Sequence, residues 1–217
     1  MHTEQTIYFV RHGQSEANKQ GIIQGHAEFP LSELGKTQVT LAGEWFNGIK
    51  LNRMITSDLQ RASETAEAIS QRQQDGAPKP QMSPLAREVG LGPLEGKTRE
   101  EMGRQFPELK PDQLLTSGIS GTETVEAITR RCQLLEQTLT EGDFEQTAVV
   151  SHGGFISIYL MYLIAGGDWH RWKRPFVIGN TGITKITYSD GQAKIHYTNK
   201  QAHLEGREGL TSSTVVY

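Results

Sequence analysis

The clearest hydrophobic pattern in the chain is a pair of short apolar runs, each of which ends abruptly in a histidine and a glycine. The first run is Ile7 to Val10, and Arg11-His12-Gly13 follows it directly. The second run is Thr147 to Ser151, and His152-Gly153-Gly154 follows it. Short apolar runs without alternation are typical of strands buried on both faces. Both runs therefore predict buried strands, with the polar residues at the strand ends.

The remaining periodicity predicts helices between the strands and a hairpin late in the chain. Helix starts are predicted at Ser32, at Ser57 (a capping box with Gln60), at Thr98 (a capping box with Glu101), at Ser120 to Glu123, and at Phe155. Short strands are expected at Arg53 to Thr56 and at Met82 to Leu85. Two alternating runs around Ser189-Asp190-Gly191 predict an antiparallel hairpin at the edge of the sheet. This alternation of strands and helices is typical of an α/β protein.

The stretch after the first strand has the composition of a phosphate pocket. The carboxyl ends of strands form the ligand edge of an open α/β sheet. Arg11 offers a planar charged fork there, while Ser15 and Asn18 offer short hydrogen-bonding side chains. An imidazole nitrogen such as that of His12 is a competent nucleophile toward phosphorus. An isolated Arg-His-Gly tripeptide is more often a surface pair, and it is the second strand-tip histidine, His152, that favours a site.

Two further charged residues have positions that fit an anion site. Arg61 lies near the start of a predicted helix, where a cation opposes the helix dipole unless an anion is bound beside it. A solvent-facing Arg61 paired with Glu64 or Asp58 is an equal alternative. Glu88 follows the predicted strand at Met82 to Leu85, again at the ligand edge, and its alternative is an ordinary salt bridge.

Composition limits the partners that the chain is expected to have. A formal net charge of -3 over 217 residues gives no overall basic field, so a nucleic-acid partner is not expected. The single cysteine, Cys132, excludes an internal disulfide framework and a cysteine-rich metal site. The N-terminus lacks the pattern of a signal peptide, and the longest apolar run, Phe155 to Ala165, is too short to span a bilayer. We therefore predict a soluble, cytoplasmic protein without a membrane partner.

Four motifs follow one another in a characteristic order. They are Arg11 to Asn18, Ser57 to Ala62, Glu88 ahead of a glycine-rich stretch that ends in Glu95-Gly96, and Ser151 to Gly154. Together they resemble the histidine phosphatase superfamily, also called the phosphoglycerate mutase-like family, over about Ile7 to Ile186. The resemblance implies an α/β fold, a three-layer α/β/α sandwich with a mixed, mostly parallel central sheet.

We expect one domain over residues 1–217, in which residues 89–120 form a small cap insert. The tail at 206–217 has no periodicity and is expected to be flexible.

The resemblance also implies roles for individual residues. His12 is the nucleophile that forms a phosphohistidine, and Glu88 matches the proton donor. The expected catalytic residues are His12, Glu88, His152, Arg11 and Arg61. The expected substrate-binding residues are Arg11, Ser15, Asn18, Gln24, Gly25, Arg61, His152 and Gly153. No metal and no other cofactor are implied, and Gln14 departs from the glutamate that many members carry.

Phosphoryl transfer sets requirements on the two histidines. His12 must attack through a free nitrogen, so its other nitrogen is expected to donate to a fixed acceptor such as a backbone carbonyl. His152 is expected to donate to the phosphoryl oxygens, which favours its protonated form. Charge on the three equatorial oxygens would be stabilised by Arg11 and Arg61.

The expected reaction follows from the short insert after Glu88. Cofactor-dependent phosphoglycerate mutases carry a long insert there, with added basic and aromatic contacts. Here the cations of the insert are few and spread out: Lys97, Arg99, Arg104 and Lys110. We therefore predict a metal-independent phosphomonoester hydrolase for a small phosphorylated substrate.

Three alternatives differ in chemistry. They are a phosphoglycerate mutase-type phosphoryl transferase, a member that binds phospho-ligands without turnover, and a metal phosphoesterase. The last is disfavoured because Arg11, adjacent to His12, would repel a metal cation.

Overall fold

The structure is a computed structural model that describes residues 4–73, 77–173, 175–207 and 209–211. Six strands form one sheet in the order β3-β2-β4-β1-β5-β6. The strands are β1 (Gln5–Arg11), β2 (Arg53–Thr56), β3 (Gln81–Met82), β4 (Gln146–Ser151), β5 (Ile183–Ser189) and β6 (Gln192–Lys200). The pairs within β1 to β4 are parallel, whereas β5 and β6 are antiparallel additions at one edge. The predicted mixed, mostly parallel sheet and its late hairpin are confirmed.

Helices cover both faces of this sheet. They are α1 (Glu16–Gln20), α2 (Glu33–Phe46), α3 (Gln60–Ser70), α4 (Arg99–Gln105), α5 (Val125–Thr140) and α6 (Gly153–Ala165). Short 3₁₀ helices lie at Pro84–Ala86, Gly92–Leu94, Pro111–Thr116, Gly166–Arg171 and Ala202–Leu204.

The side chains of β1 alternate between two apolar cores. Ile7 and Phe9 pack in one core with α5 and α6. Tyr8 and Val10 pack in the other core with α2 and α3. Because successive side chains of a strand point to opposite faces, this central strand is covered on both sides, as its unbroken apolar run predicts. The result is the three-layer α/β/α sandwich expected from the sequence.

Two predicted helix starts are wrong. The helix after β2 begins at Gln60 with Leu59 as its N-cap, and the Ser57 hydroxyl accepts from the Leu59 amide at 3.2 Å instead of closing a capping box. The helix predicted from Ser120 or Glu123 has Thr124 as its N-cap. Glu123 precedes this cap, and its carboxylate forms an ion pair with Arg131 at 2.8 Å.

The third strand is shorter than the predicted run from Met82 to Leu85. It comprises Gln81–Met82 alone, and a 3₁₀ helix follows at Pro84–Ala86. A proline has no N–H to donate to a neighbouring strand, so pairing ends before it. By contrast, the caps at Ser32 and Thr98 are confirmed by hydrogen bonds of their hydroxyls to the first turns of α2 and α4.

Two further expectations concern a membrane-spanning segment and the C-terminal tail. Among the helices of the described residues, none has the length and apolar character needed to cross a membrane. Residue 208 and residues 212–217 of the predicted tail lie outside the described residues. Within its described part, the Leu210 carbonyl accepts a hydrogen bond from Gln38 of α2 at 2.7 Å.

Helix α2 approaches the loop after β1 closely enough that only glycines fit. A Cβ on Gly13 would lie 2.8 Å from the carbonyl oxygen of Gly35, and a Cβ on Gly35 would overlap the carbonyl oxygen of Gln14. This backbone-to-backbone contact holds the strand-tip loop against the first turn of α2.

Replacement of Gly35 by alanine should therefore destabilise the protein. We expect Gly35→Ala to lower the free energy of unfolding by about 1–3 kcal/mol in urea denaturation, because the backbone has to move apart to admit the methyl group. The matched control is Gly103→Ala in α4, where a Cβ meets no described atom within 4 Å. That variant should be as stable as the wild type or more stable by up to about 1 kcal/mol, since alanine favours a helix. Equal stability of the two variants would contradict this description of the contact.

Candidate active site

The two strand-tip histidines lie side by side at the carboxyl edge of the sheet. β1 and β4 are parallel neighbours, and their register pairs Arg11 with Ser151. His12 and His152 are the next residues on the two strands, and their ring centroids are 5.1 Å apart. The His12 amide also donates to the Ser151 carbonyl at 3.0 Å. The pairing of the strands thus brings both imidazoles to one place.

The ring of His12 is oriented by the backbone of the next residue. Its Nδ1 lies 2.6 Å from the carbonyl oxygen of Gly13. A carbonyl oxygen can only accept, so Nδ1 carries the proton and Nε2 keeps its lone pair. Nε2 is buried and has no hydrogen-bond partner among the described residues. This is the state that attack by an imidazole nitrogen requires.

The ring of His152 is oriented through a serine that the sequence assigned to a helix cap. Its Nε2 lies 2.9 Å from the Ser57 hydroxyl, which itself accepts from the Leu59 amide. The hydroxyl hydrogen of Ser57 can then point to Nε2, which places the ring proton of His152 on Nδ1. Nδ1 is buried and has no hydrogen-bond partner in the described part of the chain. His152 can therefore present an N–H donor while it is neutral.

Both imidazoles are neutral in the ligand-free site. Burial lowers the pKa of His12 well below the usual value, and Arg61 and Arg11 lower it further. Burial also lowers the pKa of His152 well below the usual value, with Arg61 as the next cause. The expected protonation of His152 concerns the site with a phosphoryl group bound and stays a prediction, whereas without that anion two guanidinium groups and burial disfavour a further positive charge.

Two buried guanidinium groups supply the positive charge of the site. Arg11 and Arg61 are both 0% exposed. Arg11 Nη1 donates to the carbonyl of Ile178 at 2.7 Å. Arg61 donates through Nη1 to the carbonyl of Ala27 at 2.9 Å and through Nη2 to that of Gly25 at 2.8 Å. These carbonyls fix the orientation of the two guanidinium planes. Gly25 thereby contributes to the site through its backbone.

The alternative reading of Arg61 as a surface residue is wrong. Asp58 is engaged with Arg87 through two hydrogen bonds of 2.6 Å, and Glu64 accepts from Gln60 at 2.7 Å. The Arg61 side chain is instead directed inward, beneath the first turn of α3. In α3, Arg61 is one of the buried residues, together with Ala62 and Thr65.

Asn18 has one defined orientation. Its Oδ1 accepts from the Ser15 amide at 3.2 Å and from Asn180 Nδ2 at 3.3 Å. Its Nδ2 is buried and, within the described residues, has no hydrogen-bond partner. The Ser15 hydroxyl caps α1 and donates to Gln24 Oε1 at 2.7 Å. Ser15 and Gln24 therefore bond to each other beside Asn18, which is free to offer its amide N–H.

Glu88 joins the site through the N-terminus of α6. One carboxylate oxygen accepts from the amides of Val89 at 2.9 Å and Phe155 at 2.8 Å, and the other accepts from Gly154 at 3.0 Å. The side chain is fully buried, and no described residue forms the salt bridge considered as its alternative, since Arg87 pairs with Asp58. A carboxylate has about four acceptor positions, so three are occupied and one remains on Oε2.

The loop that carries Glu88 is held by an arginine of α5. Arg131 donates to the carbonyls of Arg87 at 2.6 Å and Glu88 at 3.3 Å. Its guanidinium stacks on the Phe155 ring at 4.1 Å from the centroid and is paired with Glu123. Arg131 thus fixes the backbone of Glu88 against the first turn of α6.

The structure brings together most of the residues singled out in the sequence. Arg11, His12, Arg61, His152 and Asn18 converge at one edge of the sheet, and Gly153 lies against Arg11, since a Cβ there would be 3.2 Å from Arg11 Nε. Sequence reasoning missed four supporting residues: Ser57, Arg131, Asn180 and Thr65, whose hydroxyl accepts from the Gly13 amide at 3.1 Å. Ser57 follows the end of β2, so the strand-tip argument could have found it. The other three act through tertiary contacts that leave no local pattern.

The charged side chains of the site favour binding of an anion over binding of a metal cation. Guanidinium groups, and not carboxylates, are the charged groups that act on both imidazoles. In the described ranges no group of three or more His, Cys, Asp or Glu side chains is arranged to hold a metal ion.

Comparison with known proteins places this arrangement in a family. A family model described as the histidine phosphatase superfamily (branch 1) matches residues 7–201. A broad-specificity phosphatase of Saccharomyces cerevisiae is 28% identical over 84% of this chain and 79% of its own. The Salmonella choleraesuis protein named "Probable phosphoglycerate mutase GpmB" is 30% identical over 86% of each chain.

A solved structure shows the same fold. Bacillus stearothermophilus YhfR superposes with a TM-score of 0.79 at 25% identity and covers 93% of this chain and 100% of its own. The range that the family model matches, residues 7–201, contains both strand-tip histidines and the two buried arginines. The chain belongs to the histidine phosphatase superfamily.

Proposed function

We propose that the chain hydrolyses phosphomonoesters by passing the phosphoryl group first to Nε2 of His12 and then to water. The observation that carries the proposal is the state of the His12 ring. The Gly13 carbonyl holds Nδ1 at 2.6 Å, so the buried Nε2 keeps its lone pair between two guanidinium groups. A nucleophile of this kind needs no further deprotonation before it attacks phosphorus.

In the first half of the reaction, His12 Nε2 attacks the phosphorus atom. The bond from phosphorus to the ester oxygen breaks. That oxygen keeps the electron pair of the broken bond and takes a proton from Glu88. Arg11, Arg61, His152 Nδ1 and Asn18 Nδ2 donate to the three equatorial oxygens and stabilise the charge that develops there. The open acceptor position on Oε2 of Glu88 is where this proton is held.

In the second half, water attacks the phosphohistidine from the side that the alcohol has left. Glu88, now a carboxylate, takes the proton of the water, and the bond from nitrogen to phosphorus breaks. Phosphate leaves, and His12 returns to the neutral form with Nε2 unprotonated. His12 and Glu88 therefore each end the cycle in the protonation state in which they began it.

A histidine phosphatase is also what the relatives of this chain support, since several of them are named phosphatases. Others are named phosphoglycerate mutases, and a mutase is the second candidate. The cations of the predicted cap favour the phosphatase. Arg104 is paired with Glu100 at 2.7 Å and is exposed, so it adds little to a site for a second phosphate.

Independence from metal ions is part of the proposal, because guanidinium groups provide the charge that a metal would otherwise provide. A small phosphorylated substrate is also part of it. The cytoplasmic location, the absence of a nucleic-acid partner and the cap role of residues 89–120 stay predictions from the sequence.

Removal of the His12 imidazole should abolish turnover and the covalent intermediate together. We expect His12→Ala to lower kcat for phenyl phosphate at least about 10³-fold, and to abolish the acid-labile phosphoenzyme in rapid-quench experiments. The matched control is His196→Ala, an exposed histidine on β6. That variant should keep both signals, and wild-type turnover should persist in excess EDTA. Turnover without any phosphoenzyme, or its loss in EDTA, would contradict the proposal.

Replacement of Glu88 should affect poor leaving groups most. Glu88→Gln cannot supply the proton, so we expect kcat/KM to fall about 10²–10⁴-fold for an alkyl phosphate. For 4-nitrophenyl phosphate, whose leaving oxygen is stable without a proton, the fall should be under about tenfold. Exposed Glu44 on α2 gives the matched control, and Glu44→Gln should leave both substrates unaffected. An equal loss for the two substrates in Glu88→Gln would show that Glu88 is not the proton donor.

A further inference from the structure

A cavity of about 630 Å³ lies beside the proposed phosphoryl site. One wall is the first half of α6, a second is the 3₁₀ helix Pro111–Thr116 with Arg99 of α4, and a third is formed by residues 169–173 and 176–178. Pockets of about 300–1,000 Å³ are typical for ligands of drug size. A phosphorylated three-carbon acid would occupy only a small part of this space.

Three lining residues connect the cavity to the chemistry. Gly153 lies against Arg11, Gly154 donates to Glu88, and the Ile178 carbonyl accepts from Arg11. A substrate whose phosphoryl group is at His12 can therefore extend its alcohol portion into the cavity. The lining then determines which alcohols bind.

The third wall presents large apolar side chains. Trp172 is 62% exposed and Val177 is 60% exposed, and both line the cavity with Phe176. An exposed tryptophan beside other apolar side chains is a surface on which a planar ring can stack with little loss of conformational freedom. These side chains are distinct from Trp169, which is buried and donates to Thr129 at 2.8 Å.

The charge on the lining has one sign. Arg99, Arg171 and Lys173 line the cavity, while none of its described lining residues is Asp or Glu. Arg171 is paired with Asp168 at 3.2 Å. Arg99 and Lys173 form no ion pair with any described residue, and they belong to two different walls of the cavity. An anion between them would be favoured, whereas an ammonium group would meet no counter-charge.

From the apolar wall and the cationic lining of the cavity, and resting on the proposed function, we infer the substrate class. The substrate is a phosphomonoester whose alcohol portion carries a planar ring, which stacks on Trp172, and a second anionic group, which lies between Arg99 and Lys173. Phosphorylated amino alcohols and small aliphatic acids fit the cavity less well. The aliphatic acids have no ring that could stack on the apolar wall, and the ammonium group of the amino alcohols would be repelled by the cations.

Specificity ratios test this inference without depending on absolute activity. We would measure kcat/KM for 4-carboxyphenyl phosphate, phenyl phosphate, 3-phosphoglycerate and phosphoserine. The wild type should prefer the carboxylated ring to the plain ring, and both rings to the two aliphatic esters. Lys173→Gln and Arg99→Gln should each lower the ratio of carboxylated to plain ring roughly fivefold. Trp172→Ala should lower the ratio of plain ring to 3-phosphoglycerate by a similar factor.

Exposed residues elsewhere give matched controls. Lys194→Gln on β6 should leave the first ratio unchanged, and Met82→Ala on β3, where Met82 is 64% exposed, should leave the second unchanged. A wild-type preference for an aliphatic ester, or ratios that the three cavity variants do not change, would overturn the inference. If His12-dependent turnover remains in that case, the proposed function stands. Absence of turnover for all four esters would overturn both.

Discussion

The parallel pairing of β1 with β4 is the constraint on which the candidate site depends. The register sets Arg11 opposite Ser151, so that His12 and His152 leave the two strands at the same level. A shift of one residue would separate the histidines and would turn each side chain of β1 to the other core. Because Ile7 and Phe9 fill one core and Tyr8 and Val10 fill the other, the apolar packing specifies the register and thereby places the two histidines side by side.

The electrostatics of the site follow from burial. Two guanidinium groups are fully enclosed, which costs free energy unless their donors are satisfied. Carbonyls of Ile178, Gly25 and Ala27 accept part of these donors. The same burial, together with the cations, keeps His12 and His152 neutral. Binding of a dianionic phosphoryl group, as proposed, would offset this concentration of positive charge.

The residues that could be predicted from the sequence are those that follow an unbroken apolar run. His12 and His152 belong to this group because strand position alone places them at the ligand edge. Ser57 was assigned to a cap since its spacing to Gln60 fits a capping box, although the chain is not yet helical there. Asn180 was missed because it precedes an antiparallel strand, and its bond to Asn18 arises only from the fold. The lining of the cavity likewise comes from segments without periodicity, so its apolar wall and its cations become visible only when the walls are assembled.

The position of the phosphorus atom on His12 is the most direct test of this account. The hydrogen bond from Nδ1 to the Gly13 carbonyl leaves Nε2 as the nitrogen that can attack. The phosphoenzyme would be trapped in alkali after mixing with phenyl phosphate, and ³¹P and ¹⁵N NMR of the digested protein would identify the bonded nitrogen. We predict phosphorus on Nε2 of His12. Phosphorus on Nδ1, or on another residue, would contradict the claim that the backbone of Gly13 selects the nucleophile.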